Sequence, residues 1–340
     1  MLQFFSSLPT RLRSWLGLTT EIPTAPETRC WFIFTLIYAA VCAALALRQA
    51  FAADYVLADD VRQHIFWMFR FLDPKLFPQD PIADYFQAIA PPGFAALYHL
   101  LARCGIDPLL ASKLIPPVLG LLSTGYLFAL ALRVTRSPAA AAVSAILLCQ
   151  CLWLSTDLCS ATPRAFFYPL FVAFLYCQVR GARLGVFLTI VLQALFFPPA
   201  ALLSLGVLVL DLIHWKKDRP VLSRTPDAYL FLIGVIGSVL LLLLPYLHAS
   251  EKFGPIVSYA EARRMREFGP GGRVPFFSPS LWFYWIEGSA GLHVQSRPQW
   301  LFAALLWPVL LYFPTRFPLL QRVTCLRLLT QVWGSALILF

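Results

Sequence analysis

The sequence predicts an all-α polytopic membrane protein with about nine spans. Three observations carry that class. Hydrophobic residues make up 59% of the 340-residue chain and charged residues 13%, with a mean hydropathy of +0.71. Soluble domains carry roughly a quarter charged residues, and no soluble surface hides this much apolar side chain. The apolar residues come in long unbroken runs, not in the alternating segments of about ten residues that an outer-membrane barrel needs. Basic and acidic residues also sort to opposite sides of those runs. Other classes fall away on composition. With 29 Phe, 12 Tyr and 10 Trp the chain is the opposite of disordered, and 8 Cys are too few for a disulfide scaffold.

Residues 1–30 carry Arg11, Arg13 and Arg29 and read as a cytoplasmic leader. The run Trp31 to Leu47 follows. Ala50-Phe51-Ala52 resembles a signal cleavage site, but 30 residues before the run are too many for a signal peptide, so an uncleaved first span is expected. The spans are drawn at 31–52, 109–132, 138–155, 165–179, 184–197, 199–213, 228–247, 300–314 and 328–340. With the N-terminus inside, the leader and the inner loops hold 14 of the 27 basic residues, and three of the four inner loops have no acid. The opposite side holds 12 of the 17 acids. This asymmetry accounts for the net charge of +10 through membrane topology and needs no nucleic acid partner.

Residues 184–213 are apolar except at Phe197-Pro198-Pro199, and are read as a hairpin broken at the prolines. Read as one span, they would reverse the parity and put His214 to Arg219 outside. The run at 328–340 ends at Phe340, which fits either a longer parent protein or a partial last helix.

The first outer loop, 53–107, is proline-rich, aromatic and acidic. Asp59 to Arg70 reads as a helix, with Val61, Ile65, Met68 and Leu72 as its apolar stripe and Asp60 and His64 sharing another face. Residues 92–103 are too short to span and read as an interfacial helix. Asp59 and Asp60 suit a helix N-terminus, and they also suit a catalytic carboxylate at the membrane surface. Between the third and fourth spans, Asp157 and Arg164 fit an interfacial ion pair, or a second acid with an arginine for a phosphate. The large outer loop, 248–299, carries Arg263, Arg264 and Arg266 before the glycine-rich stretch 269–272, a grip for an anionic headgroup. Lys113 and Arg48 are assigned to snorkelling, and Asp211 to structure. Cys104 and Cys159 share the outer side, where a bridge is possible. No nucleotide, nicotinamide, zinc-protease or hydrolase motif occurs, and neither does metal-ligand spacing. No cofactor is therefore expected, and a divalent metal has no support in the sequence.

The acidic pair after the first span, the helical first outer loop, the acid in the second outer loop and the large late outer loop together resemble the GT-C superfamily of integral membrane glycosyltransferases. Protein O-mannosyltransferases and lipid A aminoarabinose transferases belong to it. The resemblance covers roughly 31–300. It implies a polyprenyl-phosphate-linked sugar donor, an acceptor on the extracytoplasmic face of a bacterial inner membrane or endoplasmic reticulum, and an inverting displacement. It carries a catalytic carboxylate onto Asp59 or Asp60 and a second onto Asp157. Arg62 and His64 would contact substrate, and Arg164, Arg263, Arg264 and Arg266 would hold the leaving phosphate. The chain departs from relatives in having Asp-Asp where many have Asp-Glu, in lacking the WWD signature of oligosaccharyltransferases, and in being shorter, which points to a truncated chain. A lipid-linked sugar flippase or other transporter, and a non-catalytic membrane assembly protein, are the competing readings.

Overall fold

The computed structural model describes residues 25–155, 158–216, 219–223 and 225–249, then 253–254, 257–269, 272, 277, 280, 282, 331–332 and 334–335. The chain is predominantly helical and divides into two units: 1–249 with 330–339, and 250–329 with 340.

In the first unit, α1 (Ala25–Ala50) begins six residues before the expected span, because its polar start, with Glu27 in the first turn, continues the helix. Arg48 closes it in the last turn, each charge suiting its end of the helix dipole. The buried residues of α1 are small, Thr35, Ala39 and Ala43, at four-residue spacing. Ile33, Phe34, Ile37, Val41 and Leu45 are exposed. Small residues inside and large apolar ones outside are what a lipid-facing helix presents.

The centre of the unit is α5 (Pro108–Thr135), packed against α1, α6 (Pro138–Leu154) and α7 (Phe167–Arg180). Asp107 caps α5 by accepting from the Leu110 amide at 2.9 Å, with Pro108 at the first helical position. Arg136 ends α5 in the left-handed region at φ 55°, and Ser137 caps α6. That two-residue link makes α5 and α6 antiparallel neighbours. Next come α8 (Arg183–Phe196), α9 (Pro198–Asp211) and α10 (Pro226–Ala249), which pack on one another, α8 and α9 also on α7. The break between α8 and α9 falls at Phe197, as the proline pair predicts. Gln193 and Ser204 satisfy each other across that hairpin at 2.6 Å, and both are fully buried.

All seven expected spans between 31 and 247 are helical. Among the described residues three helices are long and apolar enough to cross a membrane: Ala25–Ala50, Pro108–Thr135 and Pro226–Leu244. The 14-residue helices α7, α8 and α9 rise about 21 Å each, short of a ~30 Å hydrocarbon core. The span expected at 300–314 lies outside the described residues. Of 328–340, Gln331 and Ser335 dock on α9. Gln331 Nε2 donates to Asp211 at 2.7 Å, and Ser335 Oγ to the Leu203 carbonyl at 2.8 Å. Between α9 and α10 lies a feature the sequence does not announce, an antiparallel hairpin of β1 (Ile213–Lys216) and β2 (Arg219–Leu222).

Residues 53–107 fold as a helical cap of α2 (Asp59–His64), a 3-10 turn (Phe66–Phe71), α3 (Pro81–Ile89) and α4 (Pro92–Arg103). The helix expected over 59–70 is α-helical only to His64. Ile65, at φ −116°, breaks it, and the chain tightens to 3-10. The tighter turn buries Trp67 beside Met68 and leaves Leu72 outside at 47% exposure, so the expected fourth stripe position is wrong. Val61, Ile65, Trp67, Met68, Phe94 and Tyr98 form the core of the cap and rest on Leu119, Leu152 and Leu158. The Arg70 guanidinium staples the proline-rich stretch: it donates to the carbonyls of Leu76 and Phe77 and, at 2.7 Å each, to Asp84 and Gln87. The Tyr98 hydroxyl holds the carbonyl of Ala161, which sits in the left-handed region at φ 46°.

At Gly93, α4 touches α8. A Cβ there would lie 2.7 Å from Leu195 Cβ and 3.0 Å from its carbonyl oxygen. Gly93→Ala should cost about 1–3 kcal/mol by overpacking, read as a lower unfolding temperature in detergent. An unchanged temperature would mean the two helices are free to separate.

In the second unit, Ser258 and Glu261 form a capping box on the short α11 (Tyr259–Ala262), and their hydrogen bonds hold the Glu261 carboxyl below its ordinary range. Arg263, Arg264 and Arg266 follow it and are exposed.

Candidate functional site

Asp59 and Asp60 open α2 nine and ten residues past the end of α1, and both are exposed. They do not point alike. Asp59 lines a cavity of about 540 Å³ where the end of α1, the start of α2, α5 and Trp153 of α6 meet. Asp60 lies one helical turn before His64, and its charge acts on that imidazole.

The cavity reaches from Cys42 of α1 to Asp59. Cys42 lies eight residues before the end of α1, about 12 Å of helix. Much of its lining is apolar, with Leu45, Ala46, Pro116, Pro117 and Trp153. The polar groups gather where α1 ends: Gln49, Asp59, Ser112 and Lys113, with Cys159 beside them. Gly120 lets Trp153 lie against α5, since a Cβ there would come 3.1 Å from its ring. An apolar shaft ending in a carboxylate and an ammonium is shaped for an amphiphile with a polar head.

Lys113 is the group the sequence reading misplaced. It does not snorkel to the surface but is 9% exposed. Its Nζ donates to the carbonyls of Ala53 at 3.3 Å and Asp54 at 2.9 Å and lies 5.1 Å from the centre of the Phe51 ring. The turn that follows α1 brings these two carbonyls over α5, where the ammonium meets them. The signal available in the sequence was a lysine followed three and four residues later by two prolines, inside an otherwise apolar span.

His64 faces a second, smaller cavity of about 200 Å³, with Phe86, Phe94 and the prolines 91, 163, 198 and 199. Its ring meets Phe86 edge-on at 5.3 Å. Burial lowers its pKa, and the Asp60 charge opposes that shift only in part. Below its ordinary pKa of ~6.5 the unfolded chain therefore binds the proton first, and stability falls as pH drops. His64→Asn should flatten that slope in unfolding temperatures taken from pH 7.5 down to pH 5. An unchanged slope would assign the acid sensitivity to another group.

Arg62 is exposed on α2, and Arg164 is exposed on the 3-10 turn Pro163–Phe166; neither lines either cavity. Asp157 lies outside the described residues. Arg263, Arg264 and Arg266 belong to the second unit. Cys104 and Cys159 are not bridged to each other: Cys104 is exposed at the end of α4, while Cys159 lines the cavity. Among the described residues no three His, Cys, Asp or Glu side chains are grouped to hold a metal.

No family model, curated protein or solved structure matches this chain. The functional reading accordingly rests on the geometry around Asp59.

Proposed function

We propose that this chain is an integral membrane glycosyltransferase of the GT-C type, with its N-terminus cytoplasmic and its first outer loop on the extracytoplasmic face. The nine-span topology belongs to this proposal. The supporting observation is the position of Asp59, a carboxylate at the polar end of an apolar cavity that begins inside the span α1. A sugar on a polyprenyl phosphate has the matching shape, with the tail in the shaft and the reacting centre at the mouth.

Of the two acids, Asp59 is the general base. It takes the acceptor hydroxyl proton while the acceptor oxygen bonds to the anomeric carbon. The bond from that carbon to the phosphate oxygen breaks on the opposite side, and the lipid phosphate leaves with the electron pair. A single displacement inverts the anomeric centre. Asp60 belongs to the His64 side, where its charge acts on the imidazole.

The test is release of polyprenyl monophosphate from a panel of polyprenyl-phosphate-linked sugars by the purified protein in bilayer discs. Release that needs Asp59 supports the proposal. Binding of the donors with neither transfer nor hydrolysis overturns it, and uptake of such lipids across a sealed vesicle would favour the transporter reading.

A further inference from the structure

The transfer chemistry above leaves one strongly charged surface unused. Two Arg-x-x-Arg pairs, Arg133 with Arg136 and Arg180 with Arg183, stand at helix ends away from the cap. The heads of α5 and α7 belong to the core under the cap, through Ala111, Ile115, Phe166 and Tyr168. Both helices run away from there, packed side by side. The Tyr126 and Tyr176 rings, 6.1 Å apart between centres, fix the register between them. Arg133 lies seven residues past Tyr126 and Arg180 four past Tyr176, so the two positions fall within about one helical turn of each other along the bundle. Arg136 is the left-handed C-cap of α5. Gly181, left-handed at φ 72°, turns the chain from Arg180 to Arg183 at the head of α8.

All four arginines are exposed, and among the described residues none is in ion-pair contact with a carboxylate. The sequence offers them none nearby: between Asp107 and Asp211 the single acid is Asp157, in the α6–α7 connection. Guanidiniums on adjoining turns repel one another, and a shared anion offsets that cost. The surface leading to them is apolar. Leu114, Val118, Leu122 and Tyr126 of α5 are exposed at four-residue spacing. Arg133 continues that face, since seven residues are close to two full turns. Apolar side chains, then tyrosines, then arginines is the order in which a phospholipid presents its chains, its glycerol level and its phosphate.

We infer that the face shared by α5 and α7 at this end binds an anionic phospholipid of the surrounding leaflet, with Arg133 and Arg180 on its phosphate, Arg136 and Arg183 flanking the headgroup, and Tyr126 and Tyr176 beneath it. A guanidinium fork matches phosphate oxygens in pairs, which an ammonium does not. The bound lipid is not a substrate and nothing reacts there. The inference goes beyond the proposed function: it needs the helices to lie in a membrane and does not need the transfer reaction. Arginines that served only to orient the chain across the membrane would give the folded protein no preference among lipids.

The experiment is mass spectrometry of the intact full chain released from discs of phosphatidylcholine with phosphatidylglycerol as the minor lipid, read as the ratio of the two lipids retained. The unaltered protein should retain phosphatidylglycerol above its share of the disc. Arg133→Gln combined with Arg180→Gln should lower that enrichment about 10-fold or more, the effect of removing two basic contacts with an anionic headgroup. Arg133→Lys combined with Arg180→Lys should keep most of it, which separates charge from folding. Arg103→Gln, an exposed arginine at the end of α4, should change nothing. No enrichment in the unaltered protein, which needs no variant to observe, overturns the site. So does an enrichment that survives the double glutamine change, or one that Arg103→Gln lowers equally, since net charge alone would then explain it. Inorganic phosphate that displaces the phosphatidylglycerol would assign the arginines to a soluble anion and overturn the lipid. Transfer that needs Asp59 in a protein without the enrichment removes this site and leaves the proposed function. Enrichment in a protein without transfer does the reverse.

Discussion

Asp59→Asn should lower sugar transfer by about 10²- to 10⁴-fold, the usual contribution of a general base, with no loss of folded protein. The amide keeps the shape of the side chain, and Asp59 is exposed at a helix start where no side-chain cap depends on it. Asp60→Asn should cost less than about 10-fold, because Asp60 acts on His64 and lies outside the larger cavity's wall. The ratio between two adjacent carboxylates is the discriminating quantity. It is measured as initial rates of lipid monophosphate release at saturating donor. Equal losses would mean that α2 presents both acids to the substrate. A larger loss at Asp60 would exchange their roles.

Trp67→Ala should remove about 3–5 kcal/mol from the stability of the outer cap, the range for deleting a large buried aromatic. Trp67 is 2% exposed, beside fully buried Met68, and its ring meets Phe71 at 5.4 Å. The loss should be local, since the cap core rests on the outer parts of α5 and α6 while the α7–α10 bundle has a core of its own. Hydrogen exchange should therefore show residues 59–103 opening while α8 to α10 stay protected. Uniform loss of protection across the chain would mean the cap and the bundle unfold as one.

Much of the fold was legible because membrane helices announce themselves by composition. The helices α5, α6, α8 and α10 lie where the apolar runs place them, and the proline pair at 198–199 marks the α8–α9 break in the sequence itself. The cap was legible only in outline. A stripe at 61, 65, 68 and 72 fits an α-helix, but the aromatic run Phe66 to Phe71 gains more by the tighter turn that buries Trp67, and period alone cannot foresee it. The acidic pair was visible as a pair. Which member faces the cavity was not, because that depends on how α2 is set against α1. Lys113 shows the same limit. A lone lysine near a span end usually snorkels, and only the turn that follows α1 supplies the carbonyls that meet it.

The central claim is that the lipid phosphate and its sugar react in the cavity at the outer end of α1. The most direct measurement is a structure in lipid discs with a non-hydrolysable polyprenyl-phosphate sugar, read for the position of the phosphorus atom and the anomeric carbon. The account predicts the phosphate inside the cavity that Asp59 lines and an acceptor site within reach of Asp59 on the far side of the anomeric carbon. A phosphate bound outside that cavity, with the anomeric carbon out of reach of Asp59, would contradict it.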